Sequence, residues 1–515
     1  MTEVMYSGII ILNPNYNVIV DFFCVLSIRQ IKYLWLMLLK KPSLNSFKMP
    51  FILAVFCVLL YFWFAYFLER TEFIKLIVLY STLFFLFYKL VLLLKNHIVI
   101  LTWCAFVFRA VFILALPNLS QDFYRFIWDG RMVLQGFNPY LFTVESFIKN
   151  NPLSIAQAHE LYRGMGSLNA GHFSNYPPIN QLCFTIAALF AGKSILGSVV
   201  VMRLLIIAAD FGTLYFGKKL LKALNLPVYT VFWYLLNPFI IIELTGNLHF
   251  EGVMIFFLIG SLYLLHSGKW TIAAVLLSCS ISVKLIPLLF LPLFYGWFLK
   301  RNIIASEPNK NVSAGEIASS LRLHNNGFKN IKKLIFFYLI IGGTTLLLFA
   351  PFYSEAFLRN YSNTVALWFQ DFEFNASLYY VARSIGYLFR GYNEIGIIGK
   401  AIPVLVVVFV GIVSLFRKND TTLTFISAML LVLTFYYFMA TTVHPWYVAT
   451  LLMLSVFTNY QYPLVWSFAI ILSYAAYSSS YNSENLWLVG LEYAVVYSVF
   501  IWEVFIKKKA MKVNP

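Results

Sequence analysis

The segment SQDFYRFIWDGR, residues 120–131, gathers two carboxylates and two guanidinium groups within ten residues. If the segment is helical, Asp122 and Asp129 project from one face, and Arg125 lies within reach of both. A carboxylate in such a place can take a proton from an attacking hydroxyl as a general base, and an arginine can bind a phosphate. The alternative interpretation is a solvated helix whose charges only pair with one another.

The rest of the chain is too apolar for a soluble protein. Of its 515 residues, 61% are hydrophobic and only 11% are charged, with a mean hydropathy of +0.78, whereas soluble domains carry about 25% charged residues. Many apolar runs approach the roughly 20 residues that span a bilayer as a helix, and they lack the alternation of barrel strands. The sequence therefore predicts an all-α, polytopic transmembrane helical bundle of about 11–14 spans.

The predicted spans follow one another through most of the chain. We place them at residues 50–68, 73–95, 97–116, 195–217, 227–244, 251–267, 270–284, 286–299, 333–352, 396–416, 421–440, 446–458, 463–479 and 487–506. The apolar stretch 179–193 would reverse the polarity of its neighbours if it crossed, so we expect a short re-entrant or interfacial helix there.

Basic residues in the short connections set the predicted topology, because lysine and arginine are retained on the cytoplasmic side. Residues 49–515 then form a single transmembrane domain with both ends inside, an outer loop 117–178 and a cytoplasmic loop 300–332. Residues 1–48 lack a clear signal-peptide core, and are interpreted either as a cytoplasmic extension or as the product of an upstream start codon.

The same charge distribution excludes nucleic acid as a partner. The net charge of +17 arises in those short connections and not in a patch, and it favours contact with anionic membrane lipid. The five cysteines are scattered through apolar runs, as expected for small buried side chains and not for a disulfide framework or a zinc site.

Further polar segments are predicted on the outer face, where a shared site would collect them. They are LNAGHFSNYPPIN (168–180), GNLHFEG (246–252), the turn around Lys284, LWFQDFEFN (367–375) and TTVHPWY (441–447). Three of them have a plainer explanation as well: helix capping in GNLHFEG, snorkelling of Lys284, and interfacial anchoring by the Trp and Tyr beside His444. Arg203 and Asp210, seven residues apart in one span, are predicted to form a structural pair.

Taken in order, QDFYRFIWDGRMVLQGFNPY, NYPPINQL, NPFIIIELTGNLHFEG, SVKLIPLLFLP and HPWYV resemble motifs of the polytopic glycosyltransferases of the GT-C superfamily. Within it the chain is most similar to bacterial polyprenol-phosphomannose-dependent mannosyltransferases and to the catalytic mannosyltransferase of GPI-anchor assembly. The likeness runs from about residue 98 to about residue 455.

The resemblance implies a lipid-phosphate sugar donor, inversion at the sugar carbon, and a catalytic acid in the first large outer loop. That acid is Asp122. Many relatives carry two adjacent acids where this chain has Gln121–Asp122, which weakens the case for a divalent cation but leaves one possible; no cofactor is certain and no metal ligand is assigned.

Ten further residues are predicted to bind substrate or shape the site, with Trp128, Tyr140 and Tyr176 as faces for sugar stacking. The ten are Asp129, Arg131, Asn138, Tyr140, Tyr176, Asn247, His249, Glu251, Lys284 and His444. Among them, Arg131, His249, Lys284 and His444 are the candidates to hold the donor phosphate as its charge increases.

The functional prediction is an integral membrane glycosyltransferase of the bacterial-type cytoplasmic membrane. It transfers a hexose, with mannose preferred, from a polyprenyl phosphate to a glycan or glycolipid acceptor at the outer, periplasmic face. A transporter or flippase of lipid-linked saccharides and a non-catalytic subunit of a glycan-assembly complex are the alternatives. A transporter is expected to show internal repeats and interrupted helices with polar groups at the bilayer midplane.

Overall fold

The computed structural model describes residues 45–150, 155–304, 316–370, 372–478 and 483–507. The chain divides into the units Met1–Leu53 and Ala54–Pro515. Within the first unit only the beginning of a helix, from Asn45, is described, so the predicted extension 1–48 lies almost wholly outside the described residues.

The described residues are almost entirely helical and contain no strand, apart from one isolated bridge between Phe374 and Thr442. The α-helices are α1 (Asn45–Phe67), α2 (Phe73–Leu93), α3 (Ile98–Ala110), α4 (Asp122–Leu134), α5 (Val144–Asn150), α6 (Ala158–Ala170), α7 (Pro178–Ala191), α8 (Ile195–Ala223), α9 (Phe232–Leu235), α10 (Pro238–Ile240), α11 (Glu251–His266), α12 (Trp270–Ile281), α13 (Phe294–Ile304), α14 (Glu316–Phe349), α15 (Glu355–Gln370), α16 (Leu378–Arg390), α17 (Ile395–Phe416), α18 (Thr422–Met439), α19 (Val448–Ser455), α20 (Tyr462–Ala469) and α21 (Leu486–Ile501). The 3₁₀ helices are Val228–Val231, Ile286–Leu293, Ala350–Phe352, Pro445–Tyr447 and Ile470–Ser478, and the π-helices are Ile241–Gly246 and Trp502–Ile506.

Seven helices in the described ranges are long and apolar enough to cross a bilayer: Phe47–Phe67, Phe73–Leu93, Ile195–Ala223, Lys329–Phe352, Ile395–Phe416, Thr422–Met439 and Leu486–Ile506. A bent pair of helices adds an eighth if it is one span. Several of the remaining predicted spans are shorter apolar helices of 10–17 residues. The predicted polytopic all-α bundle is confirmed, whereas fewer helices than the predicted fourteen are of full spanning length.

The bent pair consists of Val228–Leu235 and Pro238–Gly246, whose axes meet at 50°. The break falls at Asn237–Pro238, where proline cannot continue the backbone hydrogen bonds of the preceding helix. The Asn237 side chain accepts a bond from the amide of Phe239 and donates to the hydroxyl of Ser467, so the helix end is satisfied inside the protein.

The predicted pairing of Arg203 with Asp210 is wrong. Asp210 pairs with Arg109 of α3, with 2.7 Å between Oδ2 and Nε and both side chains fully buried. Arg203 donates instead to the carbonyl oxygens of Ile113, Ala115, Thr245 and Gly246. It therefore joins the segment after α3 to the GNLHFEG turn.

The predicted interfacial stretch 179–193 forms α7, one of the shorter apolar helices, and it packs against α4 and α8. At the crossing of α4 and α7, a Cβ on Gly130 would lie 2.2 Å from the carbonyl oxygen of Phe184. Glycine is required there because any side chain would push the two helices apart. This close contact holds α4, and the charged residues it carries, against the bundle.

Candidate active site

One large cavity of about 820 Å³ opens into the protein where most of the predicted outer polar segments meet. Its wall includes residues from 119–125, 166–177, 284–286, 372–374 and 442–447, which are far apart in sequence. Of the predicted site residues, the cavity is lined by Asp122, Tyr176, Glu251, Lys284 and His444. The convergence predicted for these segments is therefore observed in the fold.

Asp122 is the first residue of α4 and lies half-buried in the cavity wall. The Asn169 side chain donates to its Oδ1 over 3.3 Å, and among the described residues no hydrogen bond reaches Oδ2. Burial raises the pKa of Asp122 to about 6; Lys284 opposes this rise, Glu251 adds to it, and Arg70 opposes it. A carboxylate with this pKa is ionised at neutral pH and is basic enough to take a proton.

Glu251 and Lys284 form an ion pair on another part of the wall, with 3.1 Å between Oε1 and Nζ. Glu251 is almost completely buried, and its Oε2 has no hydrogen-bond partner among the described residues. The Lys284 side chain is 23% exposed, and its Nζ lies 5.4 Å from the centre of the Tyr176 ring. Lys284 is thus a partly accessible cation inside the cavity, held by a carboxylate and an aromatic face.

Arg70 is a second cation of the cavity and was not predicted. It follows α1, donates to the Gln121 side chain over 3.4 Å and lies 4.9 Å from the centre of the Tyr477 ring. None of the ion pairs in the described part of the chain includes it. The signal in the sequence was the charged connection ERTE (69–72) between the first two spans.

The rings of His249 and His444 both stack on the ring of Trp446. The ring centroids of His249 and Trp446 are 3.6 Å apart, and those of His444 and Trp446 are 4.6 Å apart. Burial, together with Lys284, lowers the pKa of His444 to about 3, and burial lowers the pKa of His249 well below its usual value. Both imidazoles are therefore neutral at pH 7, and His249 Nε2 and His444 Nδ1 have no hydrogen-bond partner among the described residues.

Asp129 is fully buried and does not line the cavity. It accepts hydrogen bonds from Arg125 Nε at 2.8 Å, from Gln181 Nε2 at 3.0 Å and from the Ser174 hydroxyl. Arg125 was predicted to reach both Asp122 and Asp129, but it forms an ion pair only with Asp129. Its other hydrogen bonds go to the carbonyl oxygens of residues 169 and 172. Asp129 and Arg125 thus hold α4 against the end of α6, which carries Asn169, and against the segment that follows it.

Five other predicted residues also lie outside the cavity wall, and the structure shows each of them bonded within the scaffold or packed in it. Arg131 donates to the carbonyls of Ala156 and Lys193, Asn138 to that of Phe352, and Tyr140 to that of Tyr176; Asn247 accepts from the amide of Leu119, and His249 packs on Trp446. Trp128 and Tyr140 are fully buried, so only the Tyr176 ring remains as a predicted stacking face in the cavity.

The cavity wall also includes four polar residues that the sequence analysis did not name as site residues: Glu373, Tyr380, Arg383 and Glu484. Arg383 pairs with Glu373, and Glu484 accepts hydrogen bonds from the Tyr380 hydroxyl and the Asn375 amide. Burial raises the pKa of Glu484 above its ordinary value. Carboxylates and tyrosine hydroxyls of this kind are suitable partners for sugar hydroxyls.

No group of three or more His, Cys, Asp or Glu side chains able to hold a metal occurs in the described ranges. The carboxylates of Asp122 and Glu251 line the same cavity wall as Lys284. One oxygen of Glu251 forms an ion pair with that lysine. Within the described part of the chain, these donors do not fit a dedicated divalent-cation site.

Comparison with known proteins gives a consistent assignment for the N-terminal half. Residues 52–301 match the family model described as "Alpha-(1->6)-mannopyranosyltransferase, N-terminal domain". The chain is also 21% identical over 218 residues to Alpha-(1->6)-mannopyranosyltransferase A of Mycobacterium tuberculosis (strain ATCC 25618 / H37Rv). That similarity spans 42% of this chain and 40% of the relative. No solved structure gives a significant match.

The matched range contains Arg70, Asp122, Glu251 and Lys284, and it ends before His444. Four of the polar residues that meet in the cavity therefore lie within the part of the chain that is similar to mannosyltransferases. Both comparisons support a mannosyltransferase, and the described apolar helices are consistent with a polytopic enzyme. The resemblance of this chain to polytopic mannosyltransferases of the GT-C type is confirmed.

Proposed function

We propose that the protein is an inverting mannosyltransferase that takes mannose from a polyprenyl phosphate and transfers it to a hydroxyl of a glycan or lipid-linked acceptor at the outer face of the membrane. The observation that carries the proposal is the placement of Asp122, a carboxyl with a pKa of about 6, in one cavity with the cations Lys284 and Arg70. The similarity of residues 52–301 to a mannopyranosyltransferase domain supports mannose as the sugar.

In the proposed reaction, Asp122 accepts the proton of the acceptor hydroxyl while that oxygen forms a bond to the anomeric carbon of mannose. The bond between this carbon and the phosphate oxygen breaks, and its electron pair leaves with the polyprenyl phosphate. Because Asn169 binds Oδ1, the second oxygen of Asp122 is the one that can face the acceptor. A positioned base of this kind contributes about 10²–10⁴-fold to the rate.

The leaving phosphate gains negative charge, and cations already in place stabilise it without further rearrangement. Lys284 and Arg70 supply that charge from the cavity wall. Lys284 is already oriented by Glu251 and Tyr176, and Arg70 rests on Tyr477 with its guanidinium in no ion pair of the described residues. The neutral His444 completes the wall as a hydrogen-bonding group.

The rate of transfer should fall in acid because the base must be ionised. With the pKa of Asp122 raised to about 6, kcat/KM is expected to be level above about pH 7 and to fall about tenfold per pH unit below pH 6. Initial rates measured from about pH 5 to pH 8 in nanodiscs test this. A profile that is flat across this range contradicts the assignment of the base.

Arg70→Gln is expected to raise KM for the lipid-phosphate sugar by about tenfold, since one charge-assisted hydrogen bond to phosphate is lost. Arg359→Gln is the matched control, because Arg359 is exposed and does not line the cavity. Equal KM values for both variants and the parent protein would show that Arg70 does not contribute to donor binding.

The donor class is tested directly with purified protein in nanodiscs. Radiolabelled polyprenyl-phosphate mannose and the nucleotide-activated sugar GDP-mannose are supplied in parallel, each with the same panel of glycan and glycolipid acceptors. Transfer from the lipid donor alone supports the proposal. Transfer from GDP-mannose alone would contradict the proposed lipid-phosphate donor. Preferred transfer of glucose or arabinose over mannose from matched lipid donors would contradict mannose as the sugar.

One observation favours transport as a second candidate function. The helix pair bent at Asn237–Pro238 is an interrupted helix of the kind that transporters use, and it carries the buried carboxyl of Glu243. A vesicle assay that follows movement of a fluorescent lipid-linked saccharide between leaflets separates the two functions. Movement without formation of a glycosidic bond, with every acceptor supplied, would favour transport.

A further inference from the structure

The helix α16 (Leu378–Arg390) has one face made of apolar side chains that are exposed in the structure. Spacings of three and four residues bring these side chains onto the same side of the helix. They are Leu378, Val381, Ile385, Leu388 and Phe389. The last two are each 84% exposed. We refer to these five residues as the apolar face of α16, and a contiguous surface of this kind marks a site of interaction.

The opposite face of α16 forms part of the wall of the active-site cavity. Tyr380 and Arg383 line the cavity, as do the carboxylates Glu373 and Glu484. The Tyr380 hydroxyl donates to Glu484, and Arg383 pairs with Glu373. The Arg383 guanidinium also lies 4.3 Å from the centre of the Tyr380 ring. The helix is therefore bonded directly to two carboxylates of the cavity.

These contacts extend from α16 to the segment that carries His444. Glu484 also accepts from the amide of Asn375 over 2.6 Å. The neighbouring Phe374 donates its amide to the carbonyl oxygen of Thr441 over 3.1 Å and accepts from the amide of Val443 over 2.8 Å. A displacement of α16 would thus pass through residues 373–375 to the cavity wall beside His444, since bonded and packed groups carry such shifts.

The surroundings of α16 indicate what covers its apolar face. The helix has 13 residues and a length of about 20 Å, too short to cross a hydrocarbon core of about 30 Å. It contacts α17 and α18, which are both candidate membrane spans, and α17 begins only a short turn after it. Most of the side chains of α17 are not buried inside the protein, so this neighbouring surface lies in lipid.

A membrane surface suits both faces of the helix. Amphipathic helices with basic residues on the polar face lie in the plane of the membrane, with the apolar face among the acyl chains. Arg390, at the end of α16, has a side chain that is 60% exposed, and its long stem lets the charge reach lipid headgroups. Continuity with the lipid-facing surface of α17 favours lipid over a protein partner.

We propose that α16 binds the outer leaflet of the membrane through its apolar face, and that this contact holds Glu373 and Glu484 in the wall of the active-site cavity. The inference rests on the proposed function for the outer face and for the acceptor, whose sugar hydroxyls are suitable partners for these carboxylates. The bilayer is then a structural component of the cavity, because it fixes the helix from the side opposite to Tyr380 and Arg383.

Photocrosslinking tests the contact with lipid. A benzophenone amino acid replaces Leu388 in the full-length protein, which is reconstituted into vesicles of phosphatidylethanolamine and phosphatidylglycerol and irradiated. We expect a phospholipid adduct at this position in the mass spectrum. The matched control carries the same amino acid in place of Tyr387, which is exposed on the other side of the helix and does not line the cavity. About tenfold less adduct is expected there.

Two results of the crosslinking would overturn the proposal. A covalent dimer as the main product would mean that the apolar face binds a second copy of the chain. Equal adduct at the two positions, or none at either, would mean that the apolar face has no specific contact with lipid.

Hydrogen exchange tests whether lipid contact holds the wall. Leu388→Gln/Phe389→Gln makes the apolar face polar, so the wall is in place for a smaller fraction of the time. We expect exchange at the Asn375 amide and KM for the acceptor each to rise about tenfold, with donor Kd and melting temperature unchanged. Tyr387→Gln is the matched control and should keep the parent values. Unchanged exchange in the double variant, or faster exchange throughout the protein with a lower melting temperature, contradicts the proposal.

Neither the adduct nor the exchange rate depends on sugar transfer. A lipid adduct and selective exchange without any mannose transfer would leave this inference standing and contradict the proposed function. Mannose transfer with no lipid adduct and no change in exchange would do the reverse.

Discussion

Asp122→Asn is expected to reduce mannose transfer by about a hundredfold or more while leaving binding of the lipid-phosphate donor unchanged. The asparagine keeps the shape of the side chain and its contact with Asn169, but it cannot accept the proton of the acceptor hydroxyl. The measurement is the single-turnover rate with saturating donor, together with the donor Kd obtained by competition. A reduction that appears only in Kd would contradict a role as the base.

Two other carboxylates serve as comparisons for Asp122. Glu251→Gln removes the alternative base of the cavity, and it is expected to weaken the orientation of Lys284 with a smaller loss of rate. Asp129→Asn removes the partner of Arg125 in a fully buried network, so it is expected to lower the melting temperature and not to change the acidic limb of the pH profile. If the rate survives in Asp122→Asn and is lost in Glu251→Gln, the base is Glu251.

Lys284→Met is expected to lower kcat by about 10²–10³-fold, the usual effect of removing one donor that stabilises charge in the transition state. The methionine retains much of the volume of the lysine stem and removes the cation that faces the leaving phosphate. Lys284→Arg keeps the charge and should recover a large part of the rate. Steady-state rates at saturating donor provide the comparison.

A pH profile separates loss of the cation from simple disruption of the cavity. Lys284 lowers the pKa of Asp122, so its removal should move the acidic limb of kcat/KM to higher pH. The double variant Lys284→Met/Glu251→Gln removes the carboxylate that the single change leaves unpaired in a buried position. If neither variant shifts the limb and both lose thermal stability equally, Lys284 has only a structural role.

The class of the protein and the approximate positions of its apolar helices could be predicted from the sequence alone. Apolar runs of spanning length predict helices, since only helices satisfy the backbone within lipid without the alternation of barrel strands. The same reasoning located α4 from its charges and glycine, and identified α7 as a short helix. Composition and local pattern suffice for these features because each depends on nearby residues and on the bilayer.

Which polar residues reach the cavity was decided only by the tertiary structure. Asp122 and Asp129 share a helix face in the sequence pattern, yet one lines the cavity and the other is fully enclosed by Arg125 and Gln181. Spacing along a helix specifies a direction but not the neighbour that lies there, which depends on how other helices pack.

The same reason explains the wrong pairing of Asp210 and the missed Arg70. Asp210 has Arg109 as its partner across 101 residues of sequence, and Arg70 meets Tyr477 from the other end of the chain. A smaller cavity, of about 270 Å³, likewise arises where Ile286–Leu293, α17 and α18 come together. Ion pairs, cavities and grooves between distant segments have no local signature, because they exist only after helices far apart in sequence have packed against one another.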